Sequence, residues 1–180
     1  MERLAKLAST GDMTTTTSAP GHPHAHPRLK DVTRAVARRS FCTLATASAT
    51  NRPHVAGVLY VVEETTLYVS TMCTSRKARN IAENPRVFVC IPVRRLPVGP
   101  PSSVQFAATA DILAASDGEI LRLVDNGVLK AITGHGELEL VDGCFLRIRP
   151  DRRLHTYGLS LSLRQLIRDP LSAGGAVDLG

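Results

Sequence analysis

Apolar and polar residues alternate with a period of two along most of this chain, and that rhythm predicts a β-rich fold. Strands are expected over Phe41 to Ala47, Val55 to Val62, Thr66 to Thr71, Val87 to Val93 and Val104 to Leu113. Glu137 to Val141, Cys144 to Ile148 and Arg153 to Tyr157 add shorter ones. Turn chemistry separates them: Asn51-Arg52-Pro53, Glu63-Glu64-Thr65 and the tight Asp142-Gly143. Residues 94–103 are proline-rich and read as a loop.

Helical spacing interrupts this pattern. Leu29, Val32, Ala35 and Val36 mark one face of a helix over Leu29 to Arg39. A short helix follows Ser75 and ends before Asn84-Pro85. Ser116 is expected to cap a helix over Asp117 to Ile132, with Glu119 completing a capping box and Leu121, Val124, Val128 and Leu129 as its buried stripe. Leu161 to Arg168 forms a last helix, stopped by Asp169-Pro170. Hairpins outnumber strand–helix alternations. The expected fold class is therefore mainly β with α (α+β), an antiparallel barrel whose helices cap its ends or cover a face.

With 180 residues, 43% of them hydrophobic, the chain can build one domain with a substantial core. That domain is expected over residues 29–168. Residues 1–28 read as a disordered tail, because the Thr14–Thr17 run and Gly21-His22-Pro23-His24-Ala25-His26-Pro27 offer little apolar surface to bury. The three histidines lack a Cys or carboxylate companion, so no metal is expected. Met13 is a candidate alternative start, and residues 169–180 read as a flexible C-terminal tail. No apolar run approaches the roughly 20 residues of a membrane span, and no secretory h-region is visible. A cytoplasmic protein without a membrane partner is the expectation.

Net charge is +6, which raises anionic ligands and nucleic acid. No helix-turn-helix, zinc-finger or RRM signature is present, and aromatics amount to 4% with no Trp, so nucleic acid is not an expected partner. Cys42, Cys73, Cys90 and Cys144 have no metal-ligand rhythm. Cys42 and Cys90 sit in apolar runs and read as buried thiols; Cys73 reads as more exposed and carries no assigned catalytic role.

The chemistry concentrates in Ser75-Arg76-Lys77-Ala78-Arg79-Asn80, which a strand delivers into a helix. Helix N-termini present unpaired N–H groups and a positive dipole end, so they favour phosphate. A hydroxyl and two cations in that first turn make a compact phosphate clamp. No Walker loop, Rossmann glycine fingerprint, nucleophile elbow or H-E-x-x-H motif accompanies it. A phosphate site without an acid–base set fits a protein that borrows its reactivity from a cofactor.

Ser75-Arg76-Lys77-Ala78 with Ile81, Asn84, Pro85, Arg86 and Val87 resembles the pyridoxamine 5′-phosphate oxidase-like flavin-binding split barrels. Leu44-Ala45-Thr46, Arg52-Pro53-His54-Val55, Leu67-Tyr68-Val69-Ser70-Thr71 and Val104-Gln105 with Thr109-Ala110-Asp111 follow the same order, so the resemblance spans roughly residues 30–150. It implies a split β-barrel homodimer with FMN or coenzyme F-420 in clefts at the interface, acting on a small-molecule substrate. Arg76, Lys77 and Ser75 would hold the cofactor phosphate, and Ser70 and Thr71 the phosphate and ribityl region. Residues 55–60, among them Val58 and Tyr60, would lie along the ring system and contribute backbone groups as much as side chains; Gln105 and Asn80 are further candidates. Val55 and Tyr60 stand where the oxidase itself carries Arg and Lys, and its Trp-bearing C-terminal segment is not recognisable, so oxidation of vitamin B6 is not the expected reaction. The catalytic residues are left unknown. Relatives on the same scaffold that bind haem or its breakdown product make a carrier without turnover the alternative.

Overall fold

The computed structural model describes residues 27–93, 101–159 and 161–180. The expectations for residues 1–26 and for most of the 94–103 loop lie outside the described residues. The strands are β1 (Phe41–Ala47), β2 (Pro53–Leu59), β3 (Val61–Glu63), β4 (Thr66–Met72), β5 (Arg86–Pro92), β6 (Ser103–Ala114), β7 (Gly143–Pro150), β8 (Arg153–Tyr157) and β9 (Gly174–Asp178). They form one curled antiparallel sheet in the order β2-β1-β5-β6-β7-β4-β3, with β8 bridging β6 and β9. This is the expected α+β architecture.

The 12-residue β6 organises the curl. One edge pairs with β5 along Ser103–Thr109. The other edge is shared: Ser103–Gln105 pair with β8, and Ala108–Ala114 pair with β7. The sheet therefore forks at the middle of one strand.

Its strictly alternating burial follows from the pleat. Val104, Phe106, Ala108 and Ala110 are buried, with half-buried residues between them. The main core fills the inside of the curl, where Leu44, Val69, Val89, Phe106, Leu146 and Ile148 meet. Helix α1 (Leu29–Ala37) joins it through Val32 and Val36.

The expected strand Val55–Val62 is broken at Tyr60. Its N–H donates to the Ser40 carbonyl at 2.8 Å and its hydroxyl donates to the Val36 carbonyl at 2.7 Å. Turning a 1% exposed tyrosine inward ties β2 to the end of α1, at the cost of strand continuity. Glu64 then takes φ 55° in the two-residue turn joining β3 to β4.

A second core lies on the outer side of β4 and β7. Tyr68 and Phe145 receive Ile120 and Leu123 of α3 (Gly118–Asp125), Leu129, and Ile132 of α4 (Lys130–Thr133). The expected continuous helix 117–132 is thus two helices. Gly127, at φ 71°, ends α3 in a Schellman motif: Val128 N–H bonds the Leu123 carbonyl and Gly127 N–H that of Val124, both at 2.9 Å. Asp117, not Ser116, is the N-cap. Packing selects Ile120 and Leu123 for burial and leaves Leu121 49% exposed, a correction to the stripe expected from spacing.

Two further expectations change. Glu137–Val141 is a run of turns, and Asp142-Gly143 closes no hairpin, because β7 pairs with the distant β4 and β6. Residues 169–180 are ordered: Asp169 caps a 3-10 turn over Pro170–Ala173, and β9 pairs residue by residue with β8. The small Gly174, Gly175 and Ala176 hide a strand from propensity rules. The β8 edge supplies the missing drive. Helix α5 (Leu163–Arg168), capped by a Ser162–Gln165 capping box, packs Leu166 with Leu161 and Ala173.

Candidate functional site

Strand β4 delivers the chain into a turn, Cys73 to Ser75, from which α2 (Arg76–Glu83) begins. Ser75 is the N-cap. Its hydroxyl accepts from Ala78 N–H at 3.3 Å and lies 3.3 Å from the Thr71 hydroxyl. The N–H groups of Arg76 and Lys77 occupy the first two helical positions and have no intrahelical acceptor. No acidic residue stands in this first turn. Among the described residues no carboxylate pairs with Arg76, Lys77 or Arg79. Thr71, Ser75, Arg76 and Lys77 therefore bring two hydroxyls, two cationic residues and two free N–H groups to one positive dipole end. Such a donor set suits a phosphate dianion.

The helix is held rigidly behind that end. Asn80, 6% exposed, donates its amide to the Thr46 hydroxyl of β1 at 2.9 Å, while Ala78 and Ile81 face the core. Glu83 accepts from Ala49 N–H at 3.1 Å at the other end. Asn80 thus fixes the helix on the sheet, and its side chain does not face the clamp.

The remaining expected residues scatter. Strand alternation puts Ser70 opposite Phe145, on the side of the second core, whereas Thr71 follows Leu67 and Val69 toward the inner side. Val58 and Tyr60 are core residues, 7% and 1% exposed, so any part they take along a cofactor ring falls to their backbone groups. Burial pushes the Tyr60 phenol well above its ordinary value. Gln105 is half-buried on the outer face of β6, where its amide donates to the Ser103 hydroxyl at 2.9 Å.

That outer face carries a feature that strand periodicity alone does not single out. Val55, Ala45 and Phe88 stand side by side across β2, β1 and β5, and Leu59 stands beside Phe41. Val55 is 61% exposed, and Leu59, Phe41 and Phe88 are also exposed. The Phe41 ring lies over Gly57, where an added Cβ would come within 2.8 Å of it. The sequence signal, visible in retrospect, is that β1, β2 and β5 carry apolar residues on both parities. A strand buried on one face only would not.

A polar network was also missed. Tyr68 donates to Glu119 at 2.6 Å; Arg147 reaches Glu119 and, through Nε at 3.2 Å, Asp111; Arg149 pairs with Asp111 at 2.7 Å. Its bonded partners are separated by up to 51 positions, which no local pattern reports.

Residues 29–153 match the family model described as pyridoxamine 5′-phosphate oxidase. No curated protein sequence matches the chain. Among solved structures, the haem storage protein HutZ from Vibrio cholerae superposes with a TM-score of 0.59 at 20% identity, covering 70% of this chain and 92% of that one. A FAD-binding protein from Mesorhizobium loti gives 0.58 at 20% identity, covering 71% and 90%. A haem-binding protein from Mycobacterium smegmatis gives 0.64 at 15% identity, covering 82% and 56%. At these identities the likeness concerns the fold.

Proposed function

The chain belongs to the pyridoxamine 5′-phosphate oxidase family, and from that premise we propose that it is an oxidoreductase dependent on FMN or coenzyme F-420. The observation that carries this reading is the N-terminus of α2, where Arg76, Lys77, Ser75 and Thr71 present an uncompensated cationic donor set. Its residues fit a phosphate monoester or diester, the group both cofactors share. When bound, the cofactor ring would supply hydride transfer to or from a small molecule. The chain's own part is to bind and orient. The α2 backbone and Arg76 and Lys77 anchor the phosphate, Thr71 and Ser75 fix its rotation, and Asn80 holds the helix in place.

The exposed Val55–Ala45–Phe88 row supports a homodimer with the cofactor at its interface. Four large apolar side chains on one sheet face are an expensive surface to leave in water, at about 25 cal/mol per Å². A second copy of this chain offers the matching face. Light scattering on the wild type should give twice the chain mass, and Val55→Glu with Phe88→Glu should halve it.

Titration of the purified protein with FMN and with F-420, followed by fluorescence, tests the cofactor. Saturable binding of one, lost in Arg76→Ala/Lys77→Ala, is expected; binding of neither ends the proposal. The neighbouring haem storage fold favours a second reading, a cofactor or haem carrier without turnover. Tight binding with no reduction of bound cofactor by any electron donor would select it.

A further inference from the structure

Cys73 and Cys144 lie on the same side of the β4–β7 pair. Thr71 faces Cys144 and Met72 faces Gly143, and the ladder runs one residue further because Cys73 N–H donates to the Asp142 carbonyl at 2.8 Å. Cys73 and Cys144 are therefore diagonal neighbours. Cys73 is exposed and Cys144 is 1% exposed, so one thiol meets solvent and the other waits behind it. Burial and, after it, the neighbouring Cys73 thiol push the Cys144 thiol up to about 12. Lys77, from the first turn of α2, places a positive charge near Cys144.

Cys42 and Cys90 provide the contrast. They are also neighbours across a strand pair, since Thr43 faces Cys90. Alternation, however, sends Cys42 into the core and Cys90 to the outer face, so their sulfurs diverge.

We propose that Cys73 and Cys144 form a peroxide-oxidisable pair that closes to a reversible disulfide at the foot of α2. The Cys73 thiolate attacks a peroxide oxygen, the O–O bond breaks, and Cys73 becomes a sulfenic acid while hydroxide leaves. Cys144 then forms the S–S bond and displaces the second oxygen as water, its proton going with it. Two thiols lose two electrons, and one hydrogen peroxide becomes two waters.

Diagonal partners in an antiparallel pair have Cα atoms about 7–8 Å apart, whereas a disulfide spans about 4.4–6.8 Å. Closure must draw the Cys73–Ser75 turn toward β7. The turn can follow beyond the Cys73–Asp142 bond, because no strand pairing holds residues 74 and 75. Ser75, the cap of α2, lies two residues on and would shift with it, which disturbs its 3.3 Å contact with Thr71. Oxidation thereby loosens the clamp, a consequence that rests on the cofactor reading above.

Hydrogen peroxide treatment followed by intact mass and peptide mapping tests the bond itself. The expected result is the loss of two hydrogen masses, a Cys73–Cys144 linked peptide, and reversal by dithiothreitol. Cys73→Ser, a change at an exposed position, should abolish the linked peptide without disturbing the fold. Over-oxidation of Cys73 alone, a link between two chains, or a Cys42–Cys90 peptide would overturn the proposal. A second readout is affinity for FMN or F-420, which should fall on the order of tenfold on oxidation in the wild type and stay constant in Cys73→Ser. A linked peptide with unchanged affinity refutes the coupling. A linked peptide in a protein that binds neither cofactor leaves the disulfide standing and removes the cofactor reading.

Discussion

Two helices in this molecule begin in the same way and end up with opposite electrostatics. Both α2 and α3 start from a short polar side chain that accepts a backbone N–H, Ser75 in one and Asp117 in the other. At α3 the positive dipole end is neutralised from within the chain by Asp117 and Glu119, and Glu119 is itself held by Tyr68 and Arg147. At α2 the cap is uncharged, no acid stands in the first turn, and Arg76 and Lys77 add positive charge to a positive end. The first arrangement stabilises a fold and needs nothing further. The second places like charges together at a positive end, an arrangement that a bound anion would relieve. A helix end left uncompensated, where another in the same chain is compensated, is what the proposed phosphate site would require.

This contrast can be broken most severely at the clamp. Arg76→Ala with Lys77→Ala should lower affinity for the phosphate-bearing cofactor by about two orders of magnitude, taking about 1.5 kcal/mol for each exposed charge-assisted contact. The melting temperature should hold steady or rise. Unchanged affinity for both FMN and F-420 would show that α2 is merely a solvated helix face.

Next comes the mirror experiment. Glu119→Ala should cost about 2–3 kcal/mol of folding stability, since Arg147 and the Tyr68 hydroxyl lose a partner in a half-buried setting. Urea unfolding reads the loss, and cofactor affinity should stay put. If affinity falls as far as stability does, the two helix ends are not independent.

Asn80→Ala probes the support behind the clamp. Losing the buried bond to Thr46 should cost about 1–2 kcal/mol in unfolding experiments. Cofactor binding should weaken less than in the double variant, because Asn80 acts through the position of α2.

The smallest effects compare the caps directly. Ser75→Ala and Asp117→Ala should each remove about 1 kcal/mol of stability. Only the first should also weaken cofactor binding, and titrations at low and high salt should show that binding at the α2 end is salt-sensitive. Equal affinities for the two variants would erase the distinction.

The strands over 41–47, 66–71, 87–93 and 104–113 were legible because the pleat imposes period two on any strand with one buried face. The clamp was legible for a related reason. N-cap, cations and helix start are adjacent in the chain, so the α2 site is local chemistry. Tyr60 is not legible in the sequence, because its burial depends on a carbonyl at Val36 and no spacing rule connects those positions. Strand β9 is not legible in the sequence, because a Gly-Gly-Ala segment has no intrinsic preference until β8 offers it an edge. The family resemblance places Ser70 beside Thr71 at the phosphate, yet neighbours in a strand point to opposite faces.

By itself, then, the order of residues determined the antiparallel class, the positions of most strands and the cationic cap at Ser75, Arg76 and Lys77. Each depends on interactions within a few positions of chain. Only the tertiary structure decided that Asn80, Val58 and Tyr60 serve the interior, that Val55, Leu59, Phe41 and Phe88 share one uncovered face, and that Glu119 is consumed by Tyr68 and Arg147 while the α2 end stays free. Those outcomes rest on contacts between strands and helices far apart in the chain. Which face a residue shows, and which charge meets a partner, exists only once the sheet has curled.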